Sequence, residues 1–258
     1  MAEAKKRLGQ HWLTDAASLD EVVEAAQLTA TDTLLEIGPG LGDLTKRLLA
    51  VTSQVTAVEL DDDLIGQLQQ QFGPAGLQLV HQNILDFDLS SMPAGYKVVA
   101  NIPYYITGQV VRRLTSSPNP PSLIVLLVQK EVAQRLAAGP GQTSILTISA
   151  QLFGQVDALA VIPAACFVPP PKVDSQIVRL TKHTQPITQV PAEDLLRLVK
   201  AGFSERRKKL RSSLSGGLQR DKAEIDQVLA AAQIDPAARA QDLSISDWEK
   251  LYNSLYNS

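Results

Sequence analysis

Short runs of β-branched and aliphatic residues alternate along residues 33–180 with amphipathic or turn-rich stretches. The runs are Thr33–Gly38, Gln54–Glu59, Leu77–His81, Lys97–Ala100, Leu123–Gln129, Ala158–Ile162 and Gln176–Leu180, which predicts seven strands. Between them, Leu41–Leu49 carries Leu44 and Leu48 on one helical face, Gly108–Leu114 carries Val110, Val111 and Leu114, and Glu131–Ala137 repeats the spacing. Strands separated by sheet-covering helices point to a Rossmann-like, mostly parallel α/β sheet. The pattern changes after Leu180. From Pro191 onward apolar positions recur with helical spacing, as at Leu195, Leu196, Val199 and Phe203, so a small C-terminal helical domain is expected. The polar connector Thr181–Gln189, which contains Pro186, sets the expected division at 1–183 and 184–258.

Composition narrows the function classes. With 258 residues, 45% of them hydrophobic, the chain has room for a sizeable core. One cysteine, Cys166, excludes an internal disulfide framework, and three scattered histidines predict no metal site. The N-terminal stretch MAEAKKRLGQHWLTD is basic without an apolar run behind it, so neither a secretory signal nor a membrane span is expected, and a cytoplasmic location follows. The formal net charge is −3, so affinity for a polyanion has to come from a local patch.

The segment Glu36-Ile-Gly-Pro-Gly-Leu-Gly42 leaves an apolar strand and opens a helix, a turn whose glycines let backbone approach a ligand closely. A dinucleotide fingerprint would place its third glycine one residue later, where Asp43 stands, so the spacing disfavours a nicotinamide cofactor and an oxidoreductase. Glu59 ends the next strand, 21 residues after Gly38, where a carboxylate can accept from both hydroxyls of a ribose. Together Gly38, Gly40 and Glu59 favour a nucleoside cofactor, and S-adenosylmethionine is one. Asn83 follows the third strand, where an adenine amino group would be read, although a loop asparagine also forms turns.

The fourth strand ends in Asn101-Ile-Pro-Tyr104, the most specific feature of the chain. The exocyclic amine of adenine is a poor nucleophile because its lone pair is delocalised, so a site must draw it toward tetrahedral geometry. Two acceptors aimed at its two protons would do so. Asn101 supplies a side-chain carbonyl, and Pro103 restrains Ile102 to an extended conformation that presents a main-chain carbonyl. Tyr104 would stack on a base swung out of its own stack. Methyl transfer from a sulfonium needs no strong base, since the amine becomes acidic as the bond forms, so catalysis would rest on positioning and electrostatics.

Ser204–Arg211 reads SERRKKLR, with cations at Arg206, Arg207, Lys208, Lys209 and Arg211 against Glu205, or +4 within eight residues. On a helix Arg207 and Arg211 share one face, with Leu210 and Leu214 as the docking stripe. Lys5, Lys6 and Arg7 add a second basic group.

These blocks resemble the ribosomal RNA adenine N6,N6-dimethyltransferases, and among them the small-subunit branch that modifies two adjacent adenosines near the 3′ end. The resemblance runs through Gln10-His-Trp-Leu13, the Glu36–Gly42 turn, Glu59, Asn101–Tyr104, Val128–Ala133, Phe167–Ser175 and the stretch from Phe203. It implies the S-adenosylmethionine-dependent methyltransferase fold with His11 and Leu13 on the methionine side of the cofactor, Gly38 as its cradle, Glu59 at its ribose and Asn83 at its adenine, and with Gln10, Gly40, Leu60, Ile84 and Asn101 as further cofactor-binding residues. It implies Phe167 as the second aromatic face opposite Tyr104, and Lys172 as a phosphate contact. The implied partners are small-subunit ribosomal RNA and the immature subunit, met by a monomer with no membrane and no metal. Three positions depart from the family pattern: Asn83 where Asp is usual, Trp12 where Phe is common, and Thr143–Thr147 in place of a Tyr-Gly-x-Leu-Ser segment. The rival readings are a large-subunit RNA methyltransferase of the antibiotic-resistance type and a non-catalytic subunit-assembly factor. The Phe203–Arg211 block disfavours the first, and retention of Glu59 and Asn101 the second.

Overall fold

A computed structural model describes Lys5, residues 8–205 and residues 207–256. Along the chain run β1 (Trp12–Leu13), α1 (Ala16–Ala25), β2 (Leu34–Ile37), α2 (Asp43–Val51), β3 (Val55–Glu59), α3 (Asp62–Phe72), β4 (Gln78–His81), β5 (Lys97–Asn101), α4 (Thr107–Thr115), β6 (Leu123–Gln129) and α5 (Lys130–Leu136). Then come α6 (Ile145–Phe153), β7 (Gly154–Ile162), β8 (Phe167–Val168), β9 (Ser175–Lys182), α7 (Ala192–Gly202), α8 (Leu210–Leu218), α9 (Lys222–Ala231) and α10 (Ile245–Tyr256).

All seven expected strands form, in one sheet of order β4-β3-β2-β5-β6-β9-β7. The pairs from β4 across to β6 are parallel and β9 returns antiparallel against β6. Continuous apolar runs such as Leu123–Val128 are buried throughout, as strands covered on both faces must be. The register matters for function. Ile37 lies level with Val58 and with Ala100, so Gly38, Glu59 and Asn101 follow at one rim, the carboxyl ends of the parallel strands. A short ribbon unforeseen in the sequence pairs β1 with β8, setting Leu13 opposite Phe167.

Helix starts are chemically specified. The Asp15 side chain accepts from Ser18 N–H at α1 and the Asp61 side chain from Asp63 N–H at α3. Gly42 caps α2 at φ +89°, and a Cβ there would drive into the Phe72 ring. Only glycine meets both demands.

The chain divides into two compact units, Met1–Gln134 with Gln155–Lys182, and Arg135–Gly154 with His183–Ser258. The second is therefore not the single C-terminal block that the connector suggested. α6 belongs to it because Ile148 lies in a core with Leu195, Val199, Leu210, Ile225 and the fully buried Trp248. The unusual Thr143–Thr147 segment does local work there: Ser144 and Thr147 form a reciprocal capping box at the start of α6, and Thr143 donates to the Gln241 carbonyl at 2.9 Å.

The predicted helix across Ser204–Arg211 is not formed. Residues 204 and 205 and Arg207 lie in turns, and α8 starts only at Leu210 with Lys209 as its cap. Leu210 and Leu214 do point into the core, but Arg207 and Arg211 share no helical face.

Gly42→Ala is expected to destabilise the protein by about 1–3 kcal/mol through overpacking against Phe72. Gly66→Ala, at an exposed α3 position with open space around it, is expected to stabilise by up to about 1 kcal/mol. Thermal unfolding beside the parent measures both.

Candidate active site

A cavity opens at the rim where β2, β3 and β5 end, and its lining joins the turns after those strands to the segment 8–13 and the start of α2. Gln10, His11, Leu13, Gly38, Gly40, Glu59, Leu60, Asn83, Ile84, Asn101, Ile102, Pro103 and Tyr104 all line it. Residues separated by up to 94 positions in the chain are thus brought to one place.

Glu59 is the best-held group in the wall. One carboxylate oxygen accepts from the N–H groups of Leu60 and Asp61, both at 2.8 Å, and the other from Gly40 N–H at 3.2 Å. Burial raises its pKa, against these three donors, which favour the anion. A carboxylate has about four acceptor positions. Three backbone donors therefore fix its orientation and still leave it able to accept from a ligand hydroxyl. The glycine turn is tied to the same group. Gly38 and Gly40 stand at φ +69° and +58°, and a Cβ on Gly40 would lie 2.8 Å from the Trp12 ring. This cradle and this acceptor fit the ribose and tail of a nucleoside cofactor such as S-adenosylmethionine.

Asn101 ends β5. Its Nδ2 donates to the His11 carbonyl oxygen at 3.1 Å, which spends the donor end of the amide on backbone and leaves Oδ1 to meet an amine. Ile102 is buried, and no turn or loop hydrogen bond among the described residues takes up its carbonyl. Tyr104 Oη lies 2.6 Å from Ser175 Oγ, which fixes the ring, and burial raises its phenol pKa. Asn83 lines the cavity as expected, but its Oδ1 already accepts from Leu85 N–H at 3.0 Å, so one lone pair serves a turn. Gln10 is engaged at both ends: its Nε2 donates to Asp61 at 2.7 Å and its Oε1 accepts from Lys5 N–H at 2.7 Å. Its role here is to pin the 8–13 segment.

Phe167 is not brought to the cavity. It is 2% exposed in β8, where pairing with Leu13 turns it into the core of the first unit. Lys172 is exposed and away from the lining. Of the basic cluster, Lys208 is ion-paired with Glu205, Arg211 pairs with Asp226 at 2.6 Å, and Arg207 and Lys209 are exposed with no ion pair among the described residues. Arg206, Lys6 and Arg7 lie outside the described residues. Lys5 pairs with Asp61 and Asp63.

Sequence reasoning missed Asp61 and Ser175, which hold Gln10 and Tyr104. The Asp61-Asp-Asp63 run after a strand and the serine closing the Phe167–Ser175 block were the available signals.

The sequence matches the family described as "Ribosomal RNA adenine dimethylase" across residues 1–257. The chain belongs to that family. It is 42% identical to the Ribosomal RNA small subunit methyltransferase A of Dehalococcoides mccartyi (strain CBDB1), covering 96% of this chain and 87% of that protein. Among solved structures it is similar to a dimethyladenosine transferase from Plasmodium falciparum, with TM-score 0.80, 27% identity, and 93% and 96% of the two chains covered. The 23S rRNA methyltransferase ErmE aligns with TM-score 0.77, 25% identity, and 95% and 99% coverage. The adenine dimethylase family thus accounts for the seven-stranded sheet and the helical segments together.

Glu36, two residues before Gly38, is buried, and neither of its oxygens has a hydrogen-bond partner in full geometry among the described residues. Burial pushes its pKa up to about 8, with the Thr45 hydroxyl opposing and the Glu59 charge reinforcing. An unfolded glutamate ionises near 4.5, so between 4.5 and about 8 the folded state holds a proton that the unfolded state has lost, and stability falls as pH rises. Glu36→Gln removes that slope. Its stability advantage over the parent is expected to grow from pH 5 to 8 to about 2–4 kcal/mol and then level off. Denaturant unfolding across pH 5–9 measures this, and parallel curves for the two proteins would contradict it.

Proposed function

We propose that this chain transfers methyl groups from S-adenosylmethionine to N6 of two adjacent adenosines in a loop near the 3′ end of small-subunit ribosomal RNA, during late subunit assembly. Membership of the adenine dimethylase family supports the reaction class. The single observation that carries the residue assignment is the meeting of Asn101–Tyr104 with Glu59 and the glycine cradle in one cavity. The protein acts as a cytoplasmic monomer on the immature subunit. No helix among the described residues is long and apolar enough to cross a membrane.

When bound, S-adenosylmethionine supplies a methyl group on a positively charged sulfur. Glu59 holds the ribose through acceptor positions that the backbone leaves open, Gly38 and Gly40 admit the tail, and Asn83 and Ile84 flank the adenine. At the target, Asn101 Oδ1 and the Ile102 carbonyl accept the two protons of the exocyclic amine, which localises the nitrogen lone pair for attack. Pro103 keeps that carbonyl presented, and Tyr104 stacks on the base. Unpaired loop adenosines suit this pocket because swinging them out costs least. Exposed cations outside the cavity, Arg207 and Lys209 among them, hold phosphate.

Asn101→Ala is expected to lower methyl transfer by about 100-fold or more while RNA affinity stays within a few-fold of the parent. Radiolabelled methyl transfer to small subunits from cells lacking the protein measures this; an Asn101→Ala protein as active as the parent would overturn the assignment. Replacing Arg207 and Lys209 together by Ala is expected to flatten the dependence of log affinity on log salt by about 1–2 in slope, read from RNA-binding titrations at several salt concentrations.

A further inference from the structure

Glu36 is the polar exception in a buried strand. Leu34, Leu35 and Ile37 fill the other positions of β2, and all four residues are buried. In the parallel register Glu36 lies level with Ala57 of β3 and Val99 of β5, both apolar and fully buried. From α2 the Thr45 hydroxyl reaches it without completing a hydrogen bond, and Glu59 is the charged group that acts on it among the described residues. An unmet buried carboxyl is costly, and a position that only needed filling would be served by a fourth aliphatic side chain. Its place in the chain is what sets it apart. Glu36 precedes and Thr45 follows the turn Gly38–Gly42, whose Gly38 and Gly40 line the cavity, and the Gly40 N–H donates to Glu59. The carboxyl therefore stands behind the cradle, next in sequence to Ile37 of the lining but outside the lining itself.

We propose that Glu36 is a specificity-determining residue that separates the sulfonium donor from its thioether product by charge, an inference that rests on the S-adenosylmethionine-dependent reading above. The two ligands differ at sulfur by one methyl group and one positive charge. Apolar contacts distinguish a methyl group weakly, whereas a negative charge behind the cradle attracts the donor's sulfonium and leaves the neutral sulfur of the product unaffected. Glu59 and the exposed Asp43 are the carboxyls of the lining itself, and Glu59 meets the same ribose in both ligands. Glu36 differs from them because burial without hydrogen bonds lets it hold a proton near neutral pH. Arrival of a cation favours its anion, so donor binding draws the proton off, and product binding does not. The donor is then held more tightly relative to product as pH rises.

The test measures dissociation constants of S-adenosylmethionine and S-adenosylhomocysteine by calorimetry between pH 6.5 and 9 for the parent, for Glu36→Gln and for Glu36→Met, two variants of similar volume that cannot ionise at this position. From the low to the high end of that range, the product-to-donor ratio of constants is expected to rise about 3–10-fold more in the parent than in either variant. The amines of the ligands, and His11 and Asp43 of the lining, titrate in all three proteins and cancel in the comparison. Repeating the titrations near pH 8 in buffers of different ionisation enthalpy counts protons. Donor binding is expected to release more protons from the parent than from the variants, with no such excess for product binding. A parent whose ratio follows either variant within about 1.5-fold across the range, or whose donor binding releases no excess proton, overturns the proposal while leaving the cofactor reading intact. A parent that binds neither ligand overturns the cofactor reading and this proposal with it.

Discussion

The site depends on strand register. Parallel pairing sets Ile37 beside both Val58 and Ala100, and one residue further on the same level carries Gly38, Glu59 and Asn101. A slip of one residue in β3 or β5 would turn Glu59 or Asn101 to the other face of the sheet, because side chains alternate along a strand. β2, β5 and β6 are buried on both faces, so a slip would exchange side chains of different size between two close-packed layers and lose their fit. Precision at the rim is thus inherited from the core, and the chemistry requires no loop to find its own place.

Electrostatics complete the frame. The described lining contains no lysine or arginine, while two buried carboxyls, Glu36 and Glu59, sit behind the cradle. Both feel burial, but they are treated differently. Glu59 receives three N–H groups, whereas Glu36 receives no full hydrogen bond and keeps its proton to about pH 8. A neutral Glu36 spares Glu59 a like charge, so the better-solvated partner can be the anion. Attraction for a polyanion is left to exposed cations, and the overall charge of −3 makes their placement decisive.

How much of this was legible follows from the range of the interactions. Strands are local patterns of apolar residues, so all seven appeared in the sequence, and the Asn101–Tyr104 and Glu36–Gly42 segments carry their chemistry within a few residues. α1 and α3 lie outside the expected helices, although their buried residues, Leu19, Val22 and Ala25 in the one and Leu64, Leu68 and Phe72 in the other, recur at helical spacing. The SERRKKLR stretch offers no continuous helix face for a physical reason: Lys208 is drawn to Glu205, residues 204, 205 and 207 lie in turns, and α8 begins only at Leu210. Assignment of α6 to the second unit, and burial of Phe167, depend on contacts across long sequence separations that no local pattern encodes.

The segment from 8 to 13 shows how such contacts convert a generic sheet into a particular site. It is short and almost without secondary structure, yet nearly every residue is fastened: Gly9 against Tyr105, Gln10 to Asp61, His11 to Asn101 and Pro169, Trp12 over Gly40, and Leu13 opposite Phe167. Because those fastenings reach the tips of β3 and β5 as well as β8, the strip closes one wall across elements that the sheet alone would leave open. The large ring of Trp12 deepens this coupling. The indole packs so close to Gly40 that a side chain there has no room, and its Nε1 is buried with no hydrogen-bond partner among the described residues. An unmet buried donor costs about 1–3 kcal/mol. Burial of the ring's apolar surface against the cradle is what offsets that cost, so in this chain the conformation of the glycine turn and the position of the N-terminal strip are one structural variable.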